Sequence, residues 1–188
     1  MIAQIIHNRI NLDLAFQGLD RDLTTQINDK FKTIFLFEKE PWSSEIQSWF
    51  NFIMNNQSFI CPEIVREANS FSMGIQLVDD TTIKSLNCKW RKKDNVTDVL
   101  SFSVLDYELP VPANEDVELG DIIVSVTTAN RQALAHDHDL EMELRWLVCH
   151  GFLHLLGWDH HDSETLKQML VAQEQLLENN VNVHHMFS

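Results

Sequence analysis

The chain predicts a single α+β domain in which a small mixed β-sheet is packed with helices, one of them buried in the core and interrupted by histidines. Three observations lead there. Of 188 residues, 44% are hydrophobic and 22% charged, with 5 Gly and 4 Pro, which excludes disordered and collagen-like chains. Short runs rich in Val, Ile, Leu and Phe occur up to residue 126, whereas from Thr127 onward the apolar spacing is helical. No internal repeat or low-complexity segment divides residues 1–188, so strands plus helices around one core is the simplest arrangement. A chain of this length removes roughly two-thirds to 70% of its unfolded surface from water. It needs no staple, so a metal found here serves function.

In chain order, residues 2–6 and 73–78 read as short strands, and 43–54 as a helix with Ile46, Trp49, Phe50 and Ile53 at helical spacing. Residues 11–42 show no single period; a helix is placed at 20–32. Asp79, Asp80 and Thr81 offer N-caps for a helix near 81–90, followed by a strand at 99–104. Residues 106–121, with Pro110, Pro112, Gly120 and six carboxylates, form an exposed acidic connection; calcium-loop spacing is absent. LGDIIVSV is then the clearest strand. Helices follow at 128–136, 139–156 and 163–178, the last with Leu166, Met169, Leu170, Leu176 and Leu177 on one face and Gln and Glu opposite. From Trp146 to Leu156 the middle helix is apolar nearly all round, as a core helix is. Residues 180–188 read as a frayed tail that includes His184 and His185.

The net charge of -14 argues at first against a nucleic-acid partner. Its distribution changes that. Residues 1–93 carry 11 basic and 11 acidic side chains, and residues 94–188 carry 3 and 17. Lys84, Lys89, Arg91, Lys92 and Lys93 surround Trp90 in one short stretch, a local anion site unless it is simply a solvated helix end. Cys61, Cys88 and Cys149 form no metal-ligand motif and fit a reducing compartment. The N-terminus lacks signal-peptide features, and no run reaches the roughly 18 apolar residues of a membrane span. A cytoplasmic protein with no membrane contact is expected.

Eight of nine histidines lie between residues 136 and 185. His150 and His154 are four apart, so their imidazoles stack on one helix face. Gly157 can take the left-handed turn that ends the helix and brings His160 back to the same ion. Three imidazoles leave a tetrahedral position open, the pattern of a catalytic zinc site, although nickel and copper also take imidazole. The spacing resembles the zinc-peptidase helix, but the position of that helix's general-base Glu is Gly151 here. His136, Asp137, His138 and Asp139 could bind a second cation, but a polar connector with an N-cap is the simpler use. Asp159 either orients an imidazole or holds the turn, His161 is solvated, and Cys149 is a small core residue.

HGFLHLLGWDH at 150–160 resembles the signature HGxLHLxGyDH of the YbeY family of bacterial endoribonucleases, with Trp158 where Tyr is usual. LNCKWRKKDNVTDVLSFS at 86–103 is similar to the family's LNxxyRxkDxpTDVLSFP, and LGDI at 119–122 is a third match. Ser103 and Val96 stand where the family has Pro, residues 11–42 are longer than its N-terminal region, and the ending lacks its aromatic and acidic terminus. The resemblance implies a metal-dependent endoribonuclease specific for single-stranded RNA. It implies action in ribosomal RNA maturation, at the small-subunit 3′ end, and in ribosome quality control, with the small subunit or its assembly factors as partners. It implies one Zn2+ per chain on His150, His154 and His160, with Arg91 functionally important and Lys93 beside it; Lys89 and Lys92 of the same basic stretch are further substrate-binding candidates. A zinc-containing assembly factor without catalysis and a metal-dependent peptidase are the alternatives.

Overall fold

The computed structural model describes residues 10–20, 32–105 and 116–184. The strand read at 2–6, nearly all of the helix at 20–32 and residues 106–115 of the acidic connection lie outside these. The order is β1 (Asn11–Gln17), α1 (Lys39–Asn55), α2 (Glu63–Glu67), β2 (Ser70–Val78), α3 (Asp80–Arg91), β3 (Val99–Ser103), β4 (Val117–Ser125), α4 (Val126–Ala135), α5 (Leu140–Leu155) and α6 (Ser163–His184). The sheet runs β1-β2-β4-β3, with β1, β2 and β4 parallel and β3 antiparallel to β4. The expected α+β class with a small mixed sheet is what forms.

Differences from the sequence reading have local causes. β1 was not anticipated, yet Leu12, Leu14 and Phe16 alternate with Asp13 and Ala15, and Leu14 is fully buried against β2. α1 begins at Lys39, four residues early, because Pro41 falls in the first turn, where its missing N–H costs nothing. The connection read as loop to residue 121 becomes strand at Val117, and Val117 and Leu119 are buried. α6 passes residue 178 and runs to His184, taking in the first five residues of the stretch read as a tail. On α6, Leu166 is exposed while Gln173 is fully buried, reversing the expected faces at those two positions.

α5 sits at the centre, packing against β3, β4, α4 and α6. Phe152 on α5 meets Phe50 and Trp49 of α1, and Phe50 stacks on Phe71 of β2 at 4.2 Å, so one aromatic cluster joins helix, helix and sheet. The buried Glu45 of α1 takes the Arg145 guanidinium of α5 at 2.8 Å, a paired charge inside the same layer. Gly151 marks the closest approach of α5 to the sheet. A Cβ there would lie 2.8 Å from an Ile122 methyl and 2.9 Å from the Ser101 hydroxyl. On the other face of the sheet, Ile83 of α3 packs with Val78, Leu100 and Ile123.

Asp79 caps α3 by accepting the Thr82 N–H at 2.8 Å, as expected of its position. Asp80 ties α3 to α4: its carboxylate accepts from Ser125 and Thr128 hydroxyls and from Arg131 at 3.0 Å. Burial alone would raise the Asp80 carboxyl, but those hydrogen bonds and the Arg131 charge outweigh it and hold it below the ordinary carboxylate value. A carboxylate with a lowered folded-state pKa stabilises the fold above its unfolded value of about 3.9, and that contribution is lost as pH falls through the folded value. Asp80→Ala is expected to cost about 1–3 kcal/mol at neutral pH. In thermal melts, the gap between this variant and wild type should close only in acid below about pH 4.

Candidate metal centre and catalytic cleft

α5 ends where Gly157 adopts φ 85 and Trp158 N–H returns to the Leu153 carbonyl at 3.0 Å. This is the glycine stop expected from the sequence. It turns the chain so that His160 faces His150 and His154, with ring centroids 4.8, 5.5 and 5.3 Å apart. One ligand atom from each of the three lies within 4.8 Å of the others.

The hydrogen bonds fix which nitrogens face inward. His150 Nδ1–H donates to Gln173 Oε1 at 3.1 Å, and Gln173 Nε2–H donates to the Trp146 carbonyl at 2.9 Å, which sets the amide's orientation. His154 Nδ1–H donates to the Trp158 carbonyl at 2.8 Å. With both Nδ1 atoms protonated, the two neutral rings present bare Nε2 lone pairs to each other, 3.2 Å apart. Lone pairs so placed repel unless a cation lies between them. Two ligands about 2.0–2.1 Å from a tetrahedral ion stand about 3.3–3.4 Å apart, so the donor set fits a transition-metal dication. Burial, followed by the neighbouring imidazoles, pushes His154 below the ordinary histidine value, and burial does the same to His150 despite its bond to Gln173. Both effects keep the rings neutral, the form that ligates.

Asp159 accepts the His160 N–H at 2.8 Å and meets exposed His161 at 3.0 Å, so it holds the turn and does not orient an imidazole of the trio. Cys149 is fully buried, as expected of a core residue.

Beside the histidines opens a cleft of about 540 Å³ lined by Arg91, Ser101, Ser103, Trp158, Asp159, His154 and His160, among others. Arg91 is in the last turn of α3 and its guanidinium donates to the Ser101 carbonyl at 3.4 Å. α3 stops there because Lys92 turns left-handed at φ 59, and buried Asn87 pins the following loop by donating to the Asn95 carbonyl at 2.8 Å. The lysines of the basic stretch do not line the cleft. Lys89 lies over the Trp90 ring at 4.8 Å, Lys92 donates to the Lys89 carbonyl at 3.0 Å, and Lys93 is exposed in the turn behind α3. Ser103, where the family has Pro, ends β3 and donates to the Leu155 carbonyl at 3.1 Å, tying the strand to the end of α5.

Sequence reasoning missed Gln173 and Ser103 as parts of the site and left Ser101 open between a site residue and a strand start. The serines alternate with Phe102 along β3, and that two-residue alternation places both on the α5 side. Gln173 carried no such signal, being 23 residues from His150.

Gln173 holds His150 in the ligating tautomer. Gln173→Leu is therefore expected to weaken metal binding about 10- to 100-fold, and Gln173→Glu, which keeps the acceptor for His150 but sets a second oxygen against the Trp146 carbonyl, to restore only part of it. Chelator competition on the purified chain measures both.

The family model described as Endoribonuclease YbeY matches residues 26–181. Proteins named Endoribonuclease YbeY from Prochlorococcus marinus (strain MIT 9313) and Synechococcus sp. (strain CC9311) are 49% and 48% identical over 176 and 174 residues. Those matches cover 94% and 93% of this chain and 94% and 98% of the relatives. The solution structure of TM1509 from Thermotoga maritima aligns with a TM-score of 0.53 at 22% identity, covering 89% of this chain and 88% of that one, a likeness of fold. Since the matched segment runs from ahead of α1 into α6 and contains every residue of the cleft, the chain belongs to the endoribonuclease YbeY family.

Proposed function

We propose that this chain is a zinc-dependent endoribonuclease that hydrolyses internal phosphodiesters of single-stranded RNA, and that it acts in the cytoplasm on ribosomal RNA, at the small-subunit 3′ end and in ribosome quality control. The observation that carries the reading is the shared cleft: the open side of the His150, His154 and His160 cluster and the Arg91 guanidinium border the same space. Zinc held there by His150, His154 and His160 would supply a Lewis acid.

The remaining work falls to the chain's own groups. The planar, cationic fork of Arg91 can take two phosphate oxygens, so it stabilises the negative charge that grows in the transition state. The Ser101 hydroxyl lines the wall next to it and can donate to a ribose or phosphate oxygen, while Ser103, whose proton is on the Leu155 carbonyl, can accept from a ribose hydroxyl. Trp158 closes the far wall, fixed by donating Nε1–H to the Ile60 carbonyl at 3.0 Å. A peptidase reading finds no support, because the site of its general base is Gly151, where Ile122 and Ser101 leave no room even for a Cβ.

Among the described residues no helix is long and apolar enough to cross a membrane. The small ribosomal subunit or its assembly factors are the partners this function needs, since among the described residues the lysines of the basic stretch do not line the cleft.

The test is cleavage of an unstructured RNA oligonucleotide by wild type, His154→Ala and Arg91→Ala. Arg91→Ala should lower the rate about 100- to 1,000-fold, the cost of losing one strong transition-state donor. His154→Ala should abolish cleavage; undiminished cutting by that variant sinks the assignment. If no preparation cuts RNA while metal removal lowers the melting temperature, the chain is an assembly factor that uses its metal for structure. RNA affinity should be weak and fall with a shallow salt slope, set by the few phosphates that Arg91 and the nearby lysines reach. Filter binding across a salt series measures it.

A further inference from the structure

We propose that His136, His138 and Glu143, at the joint between α4 and α5, form a second metal site for a dication of the zinc class, separate from the His150, His154 and His160 cluster. These residues and the catalytic histidines are the two groups among the described residues whose ligand atoms converge within 4.8 Å.

The joint is built to bring the two imidazoles together. His136 is the C-cap of α4, its N–H on the Gln132 carbonyl at 2.9 Å, and His138 N–H returns to the Ala133 carbonyl at 3.1 Å. Between them Asp137 has φ 57, a left-handed conformation held by a residue other than glycine. Aspartate tolerates this conformation, which closes α4 as helices commonly end. Its effect is to set the His136 and His138 rings 5.7 Å apart. Asp139 then caps α5 by accepting the Met142 N–H at 2.7 Å, the use expected of it, which leaves it committed to the helix.

Glu143 supplies the third ligand and the strongest part of the argument. It is 4% exposed, and its carboxylate faces His138 Nε2. Among the described residues no Lys or Arg pairs with it. A buried carboxylate met only by an imidazole is electrostatically short of positive charge. A dication between Glu143 and His138 supplies that charge, with His136 closing the set from the exposed side. Asp137, Asp139 and Glu141 add negative potential around the joint. Two imidazoles and a carboxylate are a donor set suited to zinc and its neighbours, and leave one position for water.

The consequence is mechanical. Glu143 lies seven residues, about two helical turns, before His150 on α5. A metal here clamps α4 to the start of the helix whose other end presents the catalytic histidines.

The test uses the full chain, stripped with chelator, reloaded with zinc alone, passed through gel filtration and assayed for zinc. Wild type should retain about two ions per chain, His154→Ala about one, His136→Ala about one, and the double variant none, if each site depends on its imidazoles. His136 is exposed, so its replacement leaves the core intact, and the difference in zinc between the His154→Ala chain and the double variant reports on the second site whatever the fate of the first. A wild-type chain saturating at about one zinc, or a His136→Ala chain holding as much as wild type, overturns the proposal.

Discussion

The contact between α5 and the sheet at Gly151 is the constraint on which the rest of the site depends. With no side chain at that position, the helix backbone settles against Ile122 and Ser101. A helix apolar nearly all round can be buried this way only if its few polar groups find partners. His150 and His154 are those groups. They emerge toward the end of α5, where β3 stops and the chain turns, so the helix that anchors the core also delivers the ligands to an opening. The residue that would make this helix a peptidase is the one that packing excludes.

Ligand geometry depends on a second layer of bonds reaching across the fold. Gln173 of α6 and the Trp158 carbonyl each occupy an Nδ1, so both Nε2 atoms point inward. Gln173 is itself fixed by the Trp146 carbonyl, one turn before His150 on α5. α6 is thus more than a cover for the core: one buried amide connects it to the metal ligands. Imidazoles locked in this way pay little ordering cost when an ion arrives, which favours affinity without further contacts.

The sequence made the histidine trio legible because its determinants are local: a four-residue spacing, a glycine and a third histidine three residues later. The cap at Asp79 and the strand through residues 119–125 were readable for the same reason. β1 was hidden inside a long stretch searched for one period, although Leu12, Leu14 and Phe16 carry the alternation within seven residues. Gln173 was unreadable in principle, since a glutamine on a helix surface and one aimed at a ligand are the same letter until α6 is docked on α5. The basic stretch was legible as composition, but only the fold separates Arg91, which enters the cleft, from Lys92 and Lys93 past the α3 turn and from Lys89 over the Trp90 ring.

That separation bears on how a chain of net charge -14 can act on RNA. Lys84 is partnered by Asp94 at 3.4 Å and Lys92 by a backbone carbonyl, so much of the cationic charge around Arg91 is already engaged. Affinity spread evenly over substrate and transition state lowers KM without raising kcat. What raises kcat is charge aimed at the reacting phosphate, and in the proposed mechanism the Arg91 guanidinium beside the histidine cluster concentrates it there. The acidic second half then limits adhesion to bulk RNA without weakening that local field, because exposed charges beyond about 8–10 Å are screened at cellular salt. An acidic ribonuclease is consistent with electrostatics once binding and rate acceleration are assigned to different charges.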